Sequence, residues 1–236
     1  MDYFMFLAGG IGIGPALLLM YFTLSKYTYP AVERPFFDDR KVFMLLTVGF
    51  VIGVVMATFQ VLLPLSELLV LVAYSILLEL VMLVVLMLKR FALRVDTTFY
   101  GTALGLGVGA TMAFSFSYRF FNAYTVEGSA IPIEAFAIIM VWSMQLVLLI
   151  ASTGTLLGIG SARGRPWYFF AQAVMIQITY FLLLQPIYQG DTGLFAYIMF
   201  VIATVFAVMA YWYIHSKAIP EIVREAISRM KKPSKR

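Results

Sequence analysis

The sequence predicts an all-α fold, a polytopic bundle of seven transmembrane helices with its N-terminus outside and its C-terminus in the cytoplasm. Three observations carry that expectation. The chain is 62% hydrophobic with a mean hydropathy of +0.93, too apolar for a soluble core of 236 residues. Continuous apolar runs, each long enough to cross a hydrocarbon layer ~30 Å thick, recur along it. Because the runs are continuous rather than alternating, helices and not a barrel satisfy the backbone in lipid. The third observation is a one-sided distribution of Lys and Arg around the runs.

The expected spans are residues 4–24, 42–63, 67–88, 97–118, 135–158, 168–186 and 194–214. The first holds Gly9, Gly10, Gly12, Gly14 and Pro15 and follows MDYF, with no basic n-region, so it does not read as a cleaved signal peptide. A polar, twice proline-broken stretch, SKYTYPAVERPFFDDRK, joins spans 1 and 2. Spans 2 and 3 meet at Pro64, with Ser66 and Glu67 placed to start a helix. Sixteen of the 17 basic residues fall in the first, third and fifth loops and the tail. They are Lys26, Arg34, Arg40 and Lys41; Lys89, Arg90 and Arg94; Arg163 and Arg165; and Lys217, Arg224, Arg229, Lys231, Lys232, Lys235 and Arg236. Arg119 alone lies on the other side. Residues 1–215 are thus read as a seven-helix transmembrane domain, placed in the plasma membrane, and 216–236 as a basic amphipathic cytoplasmic tail. From Pro220 onward Ile219, Ile222, Val223, Ala226, Ile227 and Met230 recur at helical spacing, which predicts a short helix on the anionic inner leaflet.

Two features within the spans invite function. In YGTALGLGVGATMAF, Gly101, Gly105 and Gly109 line one stripe of the fourth helix, widened by Gly107 and Ala110. Helices in lipid associate by close backbone packing at small residues, so this is a docking groove, either for a helix of the same bundle or for one of another subunit. Gly10 and Gly14 form a second small-residue site on span 1. The second feature is Glu79, near the middle of span 3 and the lone ionisable side chain at that depth apart from tyrosines. Low dielectric disfavours its charge, so a protonated carboxyl is expected unless a cation or water reaches it. Gln60, Ser75, Ser143, Gln145, Ser152, Thr153, Gln172, Gln177 and Thr179 are the other mid-span polar groups, and Gln145 and Gln177 are the two expected to face Glu79. Either a hydrogen bond to a neighbouring helix or a catalytic, proton-relay or ion-binding role fits Glu79. His215, beside Trp212 and Tyr213, reads as part of an interfacial aromatic belt.

Several chemistries are excluded. There is no cysteine, hence no disulfide or thiolate metal site, and a single histidine cannot build a His-rich centre. GLGVG has no soluble nucleotide-binding unit around it, and HExxH, DxxD and GxSxG are absent. No metal, cofactor or nucleic-acid partner is expected.

In order along the chain, GIGIGPALLLMYFTL, SILLELVMLVVLMLKRF, YGTALGLGVGATMAF, ASTGTLLGIG and MIQITYFLLLQPIY resemble spans of the PrsW-type intramembrane proteases and of the related Aph subunit of gamma-secretase. The second stretch resembles the span where PrsW proteins carry EExxK, and the third the GxxxGxxxG assembly helix of the Aph subunit. Seven spans with an outside N-terminus are also similar to that subunit. The departures concern chemistry. Glu79 stands alone where the family has paired glutamates, and Met82 or Leu83 occupies the lysine position. Met112 falls near the glutamate of FxxxE, Gln177 and Phe181 fall on HxxxD, and Gln145 or Leu146 stands near a further histidine. Amides and aromatics neither ionise nor ligate as those groups do.

The resemblance therefore implies a family scaffold without its catalytic residues: a protein that binds and stabilises a partner membrane protein in the bilayer. That partner is, by likeness to the Aph subunit, a presenilin-type aspartyl intramembrane protease. The expected docking residues are Gly101, Gly105 and Gly109, with Gly10 and Gly14 beside them. Two rival readings remain: a divergent intramembrane protease using Glu79 with Gln177, and a proton- or ion-coupled transporter, for which no inverted repeat is visible.

Overall fold

The computed structural model describes residues 3–29, 32, 35–126 and 131–231, the side chains of 125, 226, 229, 230 and 231 excepted. Arg34, Lys232, Lys235 and Arg236 of the basic pattern lie outside the described residues, as do the side chains of Arg229, Lys231, Ala226 and Met230. The described chain is all-helical: α1 (Tyr3–Leu24), α2 (Asp39–Leu62), α3 (Leu68–Leu86), α4 (Thr97–Val126), α5 (Ile133–Ala162), α6 (Pro166–Leu183), a short α7 (Gln185–Tyr188), α8 (Leu194–Tyr213) and α9 (Ile219–Lys231). Seven helical stretches are long and apolar enough to cross a membrane.

Each boundary has a local cause. Asp38 precedes α2 and accepts the Arg40 backbone N–H at 3.0 Å, satisfying one of the free donors of the first turn. The turn between α5 and α6 places Gly164 at φ +69°, the left-handed region that glycine enters without a Cβ penalty. Pro166 then opens α6 at the first-turn position where its missing N–H costs nothing.

The bundle is built around α4. Of its most apolar window 83% is buried, against 22–50% for the other six spans. Three helices lie directly on its backbone. On the α5 side, a Cβ at Gly101 would approach Gly158 Cα to 3.0 Å, one at Gly105 would approach Ala151 Cα to 3.0 Å, and one at Gly109 would approach Val147 Cα to 3.0 Å. On the α2 side Gly107 abuts Leu46 and Gly49, and on the α1 side a Cβ at Gly12 would lie 2.6 Å from Phe114 N. Hydroxyl pairs bridge α4 and α5 at both ends, Thr102–Thr155 at 2.9 Å and Ser117–Ser143 at 2.7 Å.

This arrangement corrects the docking expectation for Gly101, Gly105 and Gly109. Their stripe is filled by α5 of the same chain, because α5 presents its own i, i+4 glycines, Gly154 and Gly158, to the same groove.

The tail forms the expected helix, and the start of its apolar stripe packs on the bundle. A wide i→i+5 turn over Ile214–Ala218 absorbs Pro220, so α8 continues into α9. Ile219, Ile222 and Val223 are buried, Ile222 in a small cluster with Leu156, Ile159, Phe169 and Ile214. The start of the apolar stripe of α9 is thus buried, while Ile227 is exposed, and Ile222 lies against the adjoining ends of α5 and α6. Arg163, in the turn between them, pairs with Glu221 at 3.0 Å and Glu225 at 2.6 Å. Burial pushes the Arg163 guanidinium down, but the Glu225 and Glu221 carboxylates outweigh it and hold it above its usual range.

Candidate functional site

Glu79, Thr153 and Gln177 are completely buried, one each on α3, α5 and α6. Three independent registers bring them to one level. α3 and α5 run parallel, tied where Ser161 Oγ donates to Leu86 O at 3.3 Å. Counting back from that tie by two turns, ~10–12 Å, reaches Glu79 on one helix and Thr153 on the other. α3 and α6 run antiparallel, with the rings of Tyr74 and Phe181 5.9 Å apart. From there ~6–8 Å along each axis leads to Glu79 and Gln177. α5 and α6 are locked where Gly160 leaves no room between itself and the Phe169 side chain. Two turns from that contact lie Thr153 and Gln177.

The hydroxyl of Thr153 lies within electrostatic reach of the Glu79 carboxyl, and it donates to Ile150 O at 3.3 Å. Among the described residues neither Glu79 oxygen makes a hydrogen bond of good geometry, and neither does the nitrogen or the oxygen of the Gln177 amide. Leu78, Met82 and Tyr74 on α3 and Phe181 on α6 are buried as well, in the main apolar core. Buried polar groups are almost always paired, so two unpaired side chains at one level form the chemically unsettled spot of this core.

Gln145 does not belong to it. It lies two turns further along α5, where its Oε1 accepts from Tyr180 Oη at 3.0 Å and its Nε2 donates to Thr204 Oγ1 at 2.6 Å. This is a correction to the expected trio, and the reason is satisfaction: Gln145 has both its needs met by α6 and α8. Thr153 takes its place. No signal in the sequence singles it out: its level with Glu79 follows only from the Ser161–Leu86 tie between α5 and α3.

His215 Nδ1–H donates to Tyr211 O at 3.0 Å, and the ring stacks on that of Tyr211 at 3.9 Å between centroids. Its Nε2 is enclosed without a partner among the described residues. On α1, Gly12 is closed by α4, whereas at Gly10 and Gly14 an added Cβ would meet nothing within 4 Å among the described residues.

Chemically, the central level offers one carboxyl, one hydroxyl and one amide. Among the described residues no group of three or more His, Asp or Glu could hold a metal ion. A hydrolase using two carboxylates, one as acid and one as base, has no second carboxylate here. The arrangement can accept or release a proton at Glu79 and hydrogen-bond a small polar group.

A scan of family models, a search of curated proteins and a search of solved structures each found no match to this chain.

Proposed function

We propose that this chain is a non-catalytic, PrsW/Aph-like membrane scaffold that binds and stabilises a partner membrane protein. Its docking surface is the open face of α1 around Gly10 and Gly14. The observation that carries this reading is the contrast along one helix. Gly12 is pressed against α4, while Gly10 and Gly14 point to space, flanked by exposed Phe6, Leu7, Leu17, Leu18 and Tyr21. A second helix can approach such a face to backbone contact, and large apolar neighbours then pack around it. By resemblance to the Aph subunit the partner is an aspartyl intramembrane protease of presenilin type, held in the plasma membrane with the basic tail in the cytoplasm. The second reading, a divergent protease or a proton-coupled carrier, is favoured by one observation: the unpartnered Glu79 carboxyl beside Gln177 and Thr153.

Affinity purification from native membranes in mild detergent, with mass spectrometry of what co-elutes, tests the scaffold. A stoichiometric membrane partner is expected, lost with Gly10→Leu/Gly14→Leu while the variant stays monodisperse. A partner retained by that variant removes α1 as the surface. A chain that purifies alone overturns the scaffold and moves the question to Glu79. Then Glu79→Gln should abolish either cleavage of a membrane substrate or proton-dependent flux in liposomes.

A further inference from the structure

α1 and α8 both pack on α5, and between them runs a lateral cleft of about 430 Å³. A hydrogen bond between Thr23 Oγ1 and Tyr211 Oη, at 2.9 Å, spans it. The two helices run parallel, so this bond fixes their register. On the side of the bond toward the bilayer centre the walls are apolar: Leu19 and Phe22 on α1, Val208 on α8, with Leu148 of α5 as floor. Toward the other end, ~10 Å further along each axis, the walls become Lys26 and His215. That end is also the end at which the basic loops gather.

Two features there call for a ligand. Lys26 is exposed and makes no ion pair among the described residues. His215 Nε2, enclosed and without a partner among the described residues, lines the same end; with Nδ1–H given to Tyr211 O it is a hydrogen-bond acceptor. Lys217, by contrast, is engaged with Trp212 and Tyr213, at 5.8 and 5.7 Å from their ring centroids.

We propose that the α1–α8 cleft is a binding site for one anionic phospholipid, its phosphate held by Lys26, a headgroup hydroxyl donating to His215 Nε2, and one acyl chain laid along Leu19, Phe22, Leu148 and Val208. The argument is the match of two gradients. A lipid is apolar toward the bilayer centre and anionic at the interface, and the cleft changes in the same direction over the same distance. An apolar groove alone would accept any hydrocarbon; the Lys26 cation selects the phosphate, and the bare imidazole nitrogen accepts from a headgroup hydroxyl. The site also has a structural consequence, since a bound lipid would join α1, the helix with the open glycine face, to α8.

Native mass spectrometry of the full chain in mild detergent tests this, with phosphatidylglycerol or phosphatidylcholine added in equal amounts. One tightly retained phosphatidylglycerol per chain is expected, preferred over phosphatidylcholine. Lys26→Gln should lower its retention by about fivefold, the usual loss for one cation at a lipid surface. Val208→Trp, at a half-exposed position on the cleft wall, should lower it comparably by filling the acyl groove. Excess inorganic phosphate should not displace the lipid. Equal retention of both lipids overturns the proposal. So does sensitivity to Lys26→Gln and to inorganic phosphate without sensitivity to Val208→Trp, which would identify a free-anion site.

Discussion

Gly105→Ala is expected to lower the stability of this protein by about 3 kcal/mol, the upper part of the range for overpacking a close contact. At this chain length that corresponds to a fall in melting temperature of roughly 6–12 °C. The added methyl group would overlap the backbone oxygen of Ile150 and approach Ala151 Cα to 3.0 Å. A flexible side chain could rotate away, but a helical backbone cannot. α5 would have to move as a body, and Gly101 against Gly158 and Gly109 against Val147 would open with it. Nor can α4 retreat, because Gly107 rests on α2 and α1 is seated through Gly12. Thermal unfolding in detergent, followed by size-exclusion fluorescence, reads the effect, with Gly10→Ala as the matched control on an open face. A Gly105→Ala protein as stable as the control would mean that α5 does not occupy the stripe. The same geometry makes Gly105 unsuitable for testing partner docking, since a lost partner there would report a lost fold.

The stripe shows how far sequence reading reaches in a membrane bundle. Span existence is legible because the hydrocarbon layer imposes a length and a composition, and all seven expected spans correspond to helices long and apolar enough to cross. Helix ends are less so. α4 was expected to stop at 118 and runs to Val126. Ser115, Ser117 and Arg119 end its apolar run, yet the helix persists because Phe121 packs on Phe4 and Phe136, with ring centroids 5.9 and 6.0 Å apart. Tertiary packing there overrides composition. Similarly the glycines announced a close contact without naming its other half. That half was present in ASTGTLLGIG, where Gly154 and Gly158 share the four-residue spacing.

The polar core was legible in kind and not in pairing. A residue's type and depth can be read along one helix. Which groups meet depends on the relative shift of two helices, set by contacts such as Ser161 with Leu86. One turn of shift is ~5.4 Å, enough to exchange one amide for another. Hence Gln145 was expected beside Glu79 and is instead committed to Tyr180 and Thr204. Thr153, one of many mid-span hydroxyls, turned out to be the neighbour.

Replacing both unpartnered groups, Glu79→Met with Gln177→Met, is expected to raise stability by about 1–3 kcal/mol. Each substitution keeps the length of the side chain and removes polar atoms that make no hydrogen bond of good geometry among the described residues. A buried polar group left unmade costs its desolvation, so its removal should stabilise, and methionine can adapt to the space left. The double-mutant cycle carries the sharper information. With no bond between Glu79 and Gln177, the two gains add. If instead the side chains turn to each other in the bilayer, the cycle should show coupling of about 0.6 kcal/mol, the average for interhelical bonds in lipid. A double variant less stable than the wild type would reverse the argument and make the pair a structural lock. The functional assay then divides the remaining cases. A more stable double variant that still captures its partner leaves the scaffold intact and the polar pair dispensable. A more stable variant that has lost its activity shows that the core keeps Glu79 and Gln177 for chemistry, at the expense of stability.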